Sequence, residues 1–387
     1  MHAARPSVNA INRILNKKID METTTTQSET SAGADNASST ASPEPSTHAA
    51  DFAATDKDFE RMMQMLTGYF VTQIAGAVAT YSIADHLAKG PATAEQIAAI
   101  EGIDSAATFR LLRACASLGL VTCDDSLTFS ATPLLSTLRT NVPGSLHSMA
   151  IAGSAPGHWL PWGRFLDAMR TGQWQTVPAL GAALWDYYAQ QPQEAAAFTN
   201  AMHGFTSGVT QDVTRLVDTS TAKLAVDIGG ASGTLVHSLM TANPQLHGII
   251  LDLPDVVPSA TAAAAALGLA ERSSVLAGDF FASVPEADLY LLKHVLHDWD
   301  DGQSVRILEN CRRAMRPGGR VIVIELLLGE IGEPGLAPLM DLNMMVMQTG
   351  RERSLSEYRA LLKQAGFRLD RSSPIRSSMA VLEAVAA

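Results

Sequence analysis

The sequence predicts an α/β protein built on a mostly parallel, seven-stranded sheet, preceded by a smaller, mainly helical module of winged-helix outline. Two observations carry this. After Lys223, short apolar runs alternate with helical stretches, the pattern of βαβ units whose strands are covered on both faces. Before that point, apolar residues recur at helical spacing around one short hairpin-like stretch. A third observation sets the scale: 387 residues are too many for one ordinary domain and comfortable for two.

The elements follow in order. Residues 1–56 form a tail or extension. Glu22 to Ala50 are almost all small and polar, cannot bury enough surface to offset the entropy of ordering, and are expected to be disordered. Arg5, Arg13, Lys17 and Lys18 precede them without a long apolar run, so no secretory signal is visible. A transit peptide and an upstream extension, with Met21 as the natural start, remain as readings, the second preferred. Residues 57–145 are the winged-helix-like module. Met62, Met65, Leu66, Phe70, Ile74, Val78 and Ile83 recur at helical spacing. Thr93 then opens AEQIAAIEG, Ser105 opens AATFRLLRACASLGL, and LVTCDDSLTFSATPLL reads as a hairpin. Residues 146–217 read as a helical connector rich in Trp159, Trp162, Phe165, Trp174, Trp185, Phe198 and Phe205. Residues 218–387 carry the strands LAVDI, GIILD, SSVLAG, DLYLLK, RVIVIEL, FRLDR and SMAVLEAV.

Composition narrows the function classes. Hydrophobic residues are 47% and charged residues 17%, and the net charge is -11. That balance suits a globular protein with a sizeable core. Its sign repels phosphate backbones, so the winged helix is expected to serve dimerisation or site closure rather than DNA binding. Cys115, Cys123 and Cys311 are an odd number without paired spacing, which argues for a reducing, cytoplasmic setting and against a disulfide framework. No apolar run reaches the length of a membrane span.

Val226-Asp227-Ile228-Gly229-Gly230-Ala231-Ser232-Gly233 leaves a strand and opens a helix. Glycines let the backbone approach a ligand, and the helix N-terminus adds N–H donors. The spacing is neither the dinucleotide pattern nor a P-loop. Asp252 ends the next strand, roughly 20 residues on, where an acid meets ribose hydroxyls. Gly278-Asp279-Phe280-Phe281 follows the third strand, an acid beside an aromatic that suits adenine. Lys293-His294-Val295-Leu296-His297-Asp298-Trp299-Asp300-Asp301 follows the fourth, at the carboxyl end where ligands sit. His297 is the candidate general base, with Glu325 and Glu352 as candidates to hold its tautomer. His294 reads as packing, and Trp299 as a residue packed on adenine. No third ligand stands at metal-site spacing, so no metal is expected. Met340, Met344 and Met347 share a helical face beside Asn343, and adaptable thioethers there suit an aromatic ring.

Taken together, VDIGGASG, LDLP, GDFF, LLKHVLHDWDD, RVIVIE and GRERS resemble the class I S-adenosylmethionine-dependent O-methyltransferase family that includes plant caffeic acid and bacterial hydroxyneurosporene and polyketide O-methyltransferases. The resemblance spans roughly Lys57 to Ala387. It implies a Rossmann-like methyltransferase domain, a dimerisation domain that makes a homodimer, and S-adenosylmethionine as cofactor with S-adenosylhomocysteine as product. By matching position it assigns Gly229, Asp252, Leu253, Asp279, Phe280 and Lys293 to the cofactor. It assigns His297 to the base, Glu325 and Glu352 to its flanking acids, and Phe198, Met202 and Met344 to the acceptor pocket. The loop reads GGASG where many relatives read GGGTG, a small departure. The implied acceptor is a small aromatic hydroxyl compound, phenolic or polyketide-like. N- or C-methylation on the same scaffold is the alternative within enzymes. A ligand-sensing winged-helix regulator is the alternative outside them.

Overall fold

The computed structural model describes residues 54–140, 142–376 and 378–387, with the Phe205 side chain excepted. The expected disordered tail therefore lies almost wholly outside the described residues. The chain divides into two compact units, Met1–Arg61 and Met62–Ala387.

At the start of the second unit, the helix Gly68–Thr80 ends where Ser82 turns left-handed, with φ +44, before the helix Ile83–Ala88. Helices Ala94–Glu101 and Ser105–Ser117 follow, then the antiparallel pair β1 (Val121–Cys123) and β2 (Phe129–Ala131). This is the winged-helix outline. Its core gathers Val78, Ile83, Ile97, Leu112, Val121 and Phe129. Thr93 caps its helix in a reciprocal capping box with Gln96. The next cap is Asp104 rather than Ser105: Asp104 Oδ1 accepts from the Ala107 N–H at 2.7 Å, and Ser105 is the first helical residue. A carboxylate one residue earlier reaches the free N–H groups that Ser105, already helical, cannot. The apolar stripe splits. Val78 and Ile83 are buried, while Met62, Met65, Leu66 and Phe70 are at least half exposed. Helical periodicity reports an apolar face without saying what covers it.

The sheet contains β3 (Leu224–Ile228), β4 (His247–Asp252), β5 (Ser273–Ala277), β6 (Ala287–Lys293), β7 (Met315–Leu328), β9 (Phe367–Pro374) and β10 (Met379–Ala386), in the order β5-β4-β3-β6-β7-β10-β9. A two-residue β8 (Arg353–Ser354) adds to the end of β7 as an eighth strand. Pairings from β5 to β7 are parallel, and β10 runs antiparallel to both neighbours. The central strands are mostly apolar because both faces are covered, with Asp227 and Glu325 as buried exceptions. Val226, Tyr290, Leu292 and Val323 pack into one cluster, and Ile250, Leu289, Leu291 and Ile322 into the other. The strand order reverses between β3 and β6, which opens a crevice at their carboxyl ends.

Candidate active site

The loop after β3 is shaped by backbone conformations. Gly229 (φ +61), Ala231 (φ +49) and Gly233 (φ +74) are left-handed, which favours glycine at two of the three positions. A Cβ on Gly229 would lie 3.2 Å from Val295 Cγ2, so the loop sits flush against the loop after β6. Gly233 precedes the helix Thr234–Ala242 and has no side chain to cap it. Asp227, 2% exposed in β3, takes that role from below, accepting from the Val236 N–H at 3.3 Å. Burial raises the Asp227 carboxyl to about 7. Asp252, ending β4, accepts from the Ala231 N–H (2.7 Å) and the Leu253 N–H (2.7 Å). It thus ties the loop to β4, and burial raises its carboxyl. Leu253 is half exposed. Asp279 Oδ1 accepts from the Phe281 N–H at 2.8 Å. Asn310 holds the Phe280 and Phe281 carbonyls at 2.7 and 3.0 Å. The Trp299 ring meets Phe280 and Phe281 edge-on, and its buried Nε1 has no partner among the described residues.

The loop after β6 is shaped by charge. His297, 7% exposed, brings Nδ1 to 2.8 Å from Glu352 Oε1 and 3.9 Å from Glu325 Oε2. Its Nε2 has Asp298 Oδ1 at 3.6 Å, beyond hydrogen-bond reach. Glu325 Oε1 accepts from the Val295 and Leu296 N–H groups at 3.1 and 3.0 Å, so this acid shapes the loop while Glu352 orients the ring. Burial pushes the imidazole down, but Glu325, Asp298 and Glu352 push it up harder, and it stands at about 9. Burial raises Glu325 to about 7 and Asp298 to about 6, and lowers Lys293 to about 8. His294 (φ +52) stacks on His297 at 4.9 Å, and burial drives its ring well below the usual value. His297, Glu325 and Glu352 each place a donor atom within 4.8 Å of the others, but the Nδ1–Glu352 distance is that of a direct hydrogen bond.

The segment 348–353 clamps this turn. Gln348 donates to Asp298 Oδ1 at 2.7 Å. A Cβ on Gly350 would stand 1.9 Å from the His297 carbonyl oxygen. The Glu352 N–H donates to Asp341 at 3.0 Å. Arg353, fully buried, donates to the Leu296 and Trp299 carbonyls at 2.9 and 2.8 Å and pairs with Asp301. Sequence reasoning did not single out Asp227, Asp298, Asn310, Asp341, Gln348 or Arg353. Asp227, Asp298 and Arg353 lie inside the quoted motifs VDIGGASG, HDWDD and GRERS, and that is the available signal.

Around the expected pocket residues, Phe198 stacks on Tyr188 (5.2 Å) and His158 (5.7 Å) and meets Trp185 edge-on. Burial lowers His158 to about 4. Asn343 Oδ1 accepts from the Trp162 indole N–H at 2.9 Å. The methionine face divides. Met347 enters the aromatic cluster, Met340 packs on the sheet cluster, and Met344 is buried between those positions. Met202 is half-buried on the helix Pro192–Leu216. A cavity of about 670 Å³ lies behind the glycine loop, lined by His203, Ser232, Thr234 and His237. None of the expected site residues lines it.

The family model for the O-methyltransferase domain matches residues 162–368, and that for the O-methyltransferase dimerisation domain matches residues 63–141. The chain is 35% identical to the phenazine O-methyltransferase PhzM of Lysobacter antibioticus, over 84% of this chain and 95% of that one. Among solved structures it is similar to the O-methyltransferase NcsB1 from neocarzinostatin biosynthesis, in complex with S-adenosylmethionine and 2-hydroxy-5-methyl naphthoic acid. That likeness has TM-score 0.73 and 32% identity, covering 82% of this chain and 96% of that one. It is similar too to the N,N-8-amino-8-demethyl-D-riboflavin dimethyltransferase RosA of Streptomyces davawensis, with TM-score 0.71 and 31% identity, covering 86% and 100%. The residues present suit S-adenosylmethionine: a left-handed glycine loop at the carboxyl end of β3, a carboxylate at the end of β4, and a buried indole N–H without a partner among the described residues. The chain belongs to the S-adenosylmethionine-dependent O-methyltransferase family, with that family's dimerisation domain at its N-terminal side.

Proposed function

We propose that this enzyme methylates a hydroxyl of a small aromatic acceptor, phenolic or polyketide-like, with His297 as general base. The observation that carries the reading is the buried Nδ1–Glu352 contact at 2.8 Å. It makes Nδ1 the donor and leaves Nε2 to take a proton. Glu352 orients the ring, Glu325 holds the loop that carries it, and both carboxylates stabilise the imidazolium that forms. Bound S-adenosylmethionine supplies the electrophilic methyl and a sulfonium charge whose field favours the neutral imidazole. A base matched to its task contributes about 10²–10⁴-fold. Gly229, Asp252, Leu253, Asp279, Phe280, Lys293 and Trp299 are the cofactor-binding residues in this reading. Phe198, Met202, Asn343 and Met344 line the acceptor side. No metal takes part.

The working form in this reading is a homodimer formed through residues 57–145. Residues 146–217 connect and line the acceptor side, and 218–387 carry the methyl transfer. The half-exposed Met62, Met65, Leu66 and Phe70 support it, since such a patch marks an interface. Sedimentation equilibrium tests it: a monomer at micromolar concentration removes that part.

Incubation with S-adenosylmethionine and a panel of hydroxynaphthoic acids, phenazines and simple phenols, followed by fragmentation mass spectrometry, tests the reaction. A methyl ether is the expected product. The likeness to RosA favours one second reading, methylation of an arylamine, and amine-bearing members of the panel decide it.

A further inference from the structure

The geometry points to His203 as a positioning residue that ties the acceptor-side helix Pro192–Leu216 to the glycine loop, so that cofactor in the loop orders that helix. This rests on the reading of the loop as the cofactor site.

His203 follows Met202 and stands five residues beyond Phe198 on the helix. Its Nδ1 lies 2.6 Å from Thr234 Oγ1 and 3.3 Å from Ser232 Oγ, and those two hydroxyls are 3.0 Å apart. Its Nε2 lies 3.4 Å from Ser207 Oγ, one turn along the helix. Either neutral tautomer serves these contacts, because each hydroxyl can donate or accept: with Nε2–H donating to Ser207, Nδ1 accepts from a loop hydroxyl. Ser232 and Thr234 flank Gly233, whose left-handed backbone ends the loop and starts the helix Thr234–Ala242. No other side-chain hydrogen bond among the described residues joins the long helix to this loop. Further along, Val209 and Val213 pack with Leu235, Leu239 and Met240. Those apolar contacts lie below the loop and do not involve its hydroxyls. A cavity of about 670 Å³ opens beside this link, with His203, Thr210, Ser232 and Thr234 among its lining residues. A loop held by a ligand then holds the helix through one side chain. A loop free to move gives up that link and leaves the helix to its apolar contacts at Val209 and Val213.

The test is hydrogen exchange with S-adenosylhomocysteine as the probe, alongside calorimetric titration. In the native chain, the probe slows exchange in residues 229–234 and in residues 196–207. In His203→Ala, protection stays in the loop and disappears from the helix, and the dissociation constant rises about 3- to 10-fold, the range for one hydrogen bond. His203 is exposed, so this truncation leaves no core void. His203→Asn, whose carboxamide oxygen can stand where Nδ1 stands, restores both. Equal helix protection in His203→Ala and the native chain overturns the link. Failure of His203→Asn to restore overturns the hydrogen-bond account. Absence of loop protection in the native chain overturns the cofactor reading itself, and the link with it.

Discussion

Two loops face each other across the crevice, and they are built on different principles. The loop after β3 is made of backbone. Left-handed turns at Gly229 and Gly233 set its path, and Asp227 and Asp252 pin it from below. The loop after β6 is made of charge. His297 sits among Glu325, Glu352 and Asp298, with Lys293 and Arg353 as nearby cations. A backbone loop offers shape and N–H donors that do not themselves titrate. A charged cluster offers a proton whose position depends on every neighbour, because burial amplifies each interaction. The first suits binding and the second suits chemistry, so damage to each side should appear in different measurements.

The largest expected effect separates them outright. His297→Ala should lower kcat about 10²-fold or more while S-adenosylhomocysteine affinity stays within about 2-fold. Steady-state kinetics beside calorimetry checks this. Unchanged turnover would remove the base and leave catalysis by proximity alone.

Gly350→Ala asks whether the clamp matters to the charged loop. The new Cβ would meet backbone atoms of His297, Asp298 and Trp299 at 1.9, 2.4 and 2.5 Å, which cannot rotate away. A loss of about 1–3 kcal/mol in stability and a clear fall in kcat are expected, from denaturant melts and kinetics. A native-like variant would show that the 297–299 turn tolerates displacement.

A third measurement concerns the charges themselves. Nuclear magnetic resonance titration of His297 in cofactor-free protein should give a midpoint near the value of about 9 set by its carboxylates. Glu352→Gln should lower that midpoint by about one unit. The sign for stability follows. The folded value lies above the ordinary 6.5, so the stabilisation is fully present below pH 6.5 and is lost as pH rises through about 9. Melting temperature should decline over that window, and decline less in Glu352→Gln. A midpoint unmoved by Glu352→Gln would sink the orienting role of that acid.

The smallest effect is on the backbone side. Gly233→Ala forces a Cβ into a left-handed position, 2.6 Å from Ile250 Cδ1 and 2.7 Å from His237 Cε1. A stability cost of about 1–2 kcal/mol and weaker S-adenosylhomocysteine binding are expected, with the His297 titration untouched. A shifted titration would mean that the two loops are coupled more closely than their construction implies.

The sequence by itself determined the backbone side of this protein. Apolar runs of strand length, a glycine pattern after one of them and an acid ending the next are local features, readable from neighbours along the chain. They led to β3, β4, β6 and β7, to the loop at Gly229 and to Asp252. His297 was legible because it follows a strand in a distinctive motif. Its pairing was legible only as a pair of candidates: Glu352 lies 55 positions away in the chain, and sequence left it level with Glu325. Tertiary structure alone decided that Glu352 orients the ring while Glu325 holds the loop. It also decided that Gln348, Gly350 and Arg353 clamp the turn, and that the apolar stripe beginning at Met62 is open where the one at Val78 is closed. The physical reason is the same in each case. Backbone preference depends on a residue and its neighbours, whereas charge, burial and close approach depend on which distant segments the fold brings within a few ångströms.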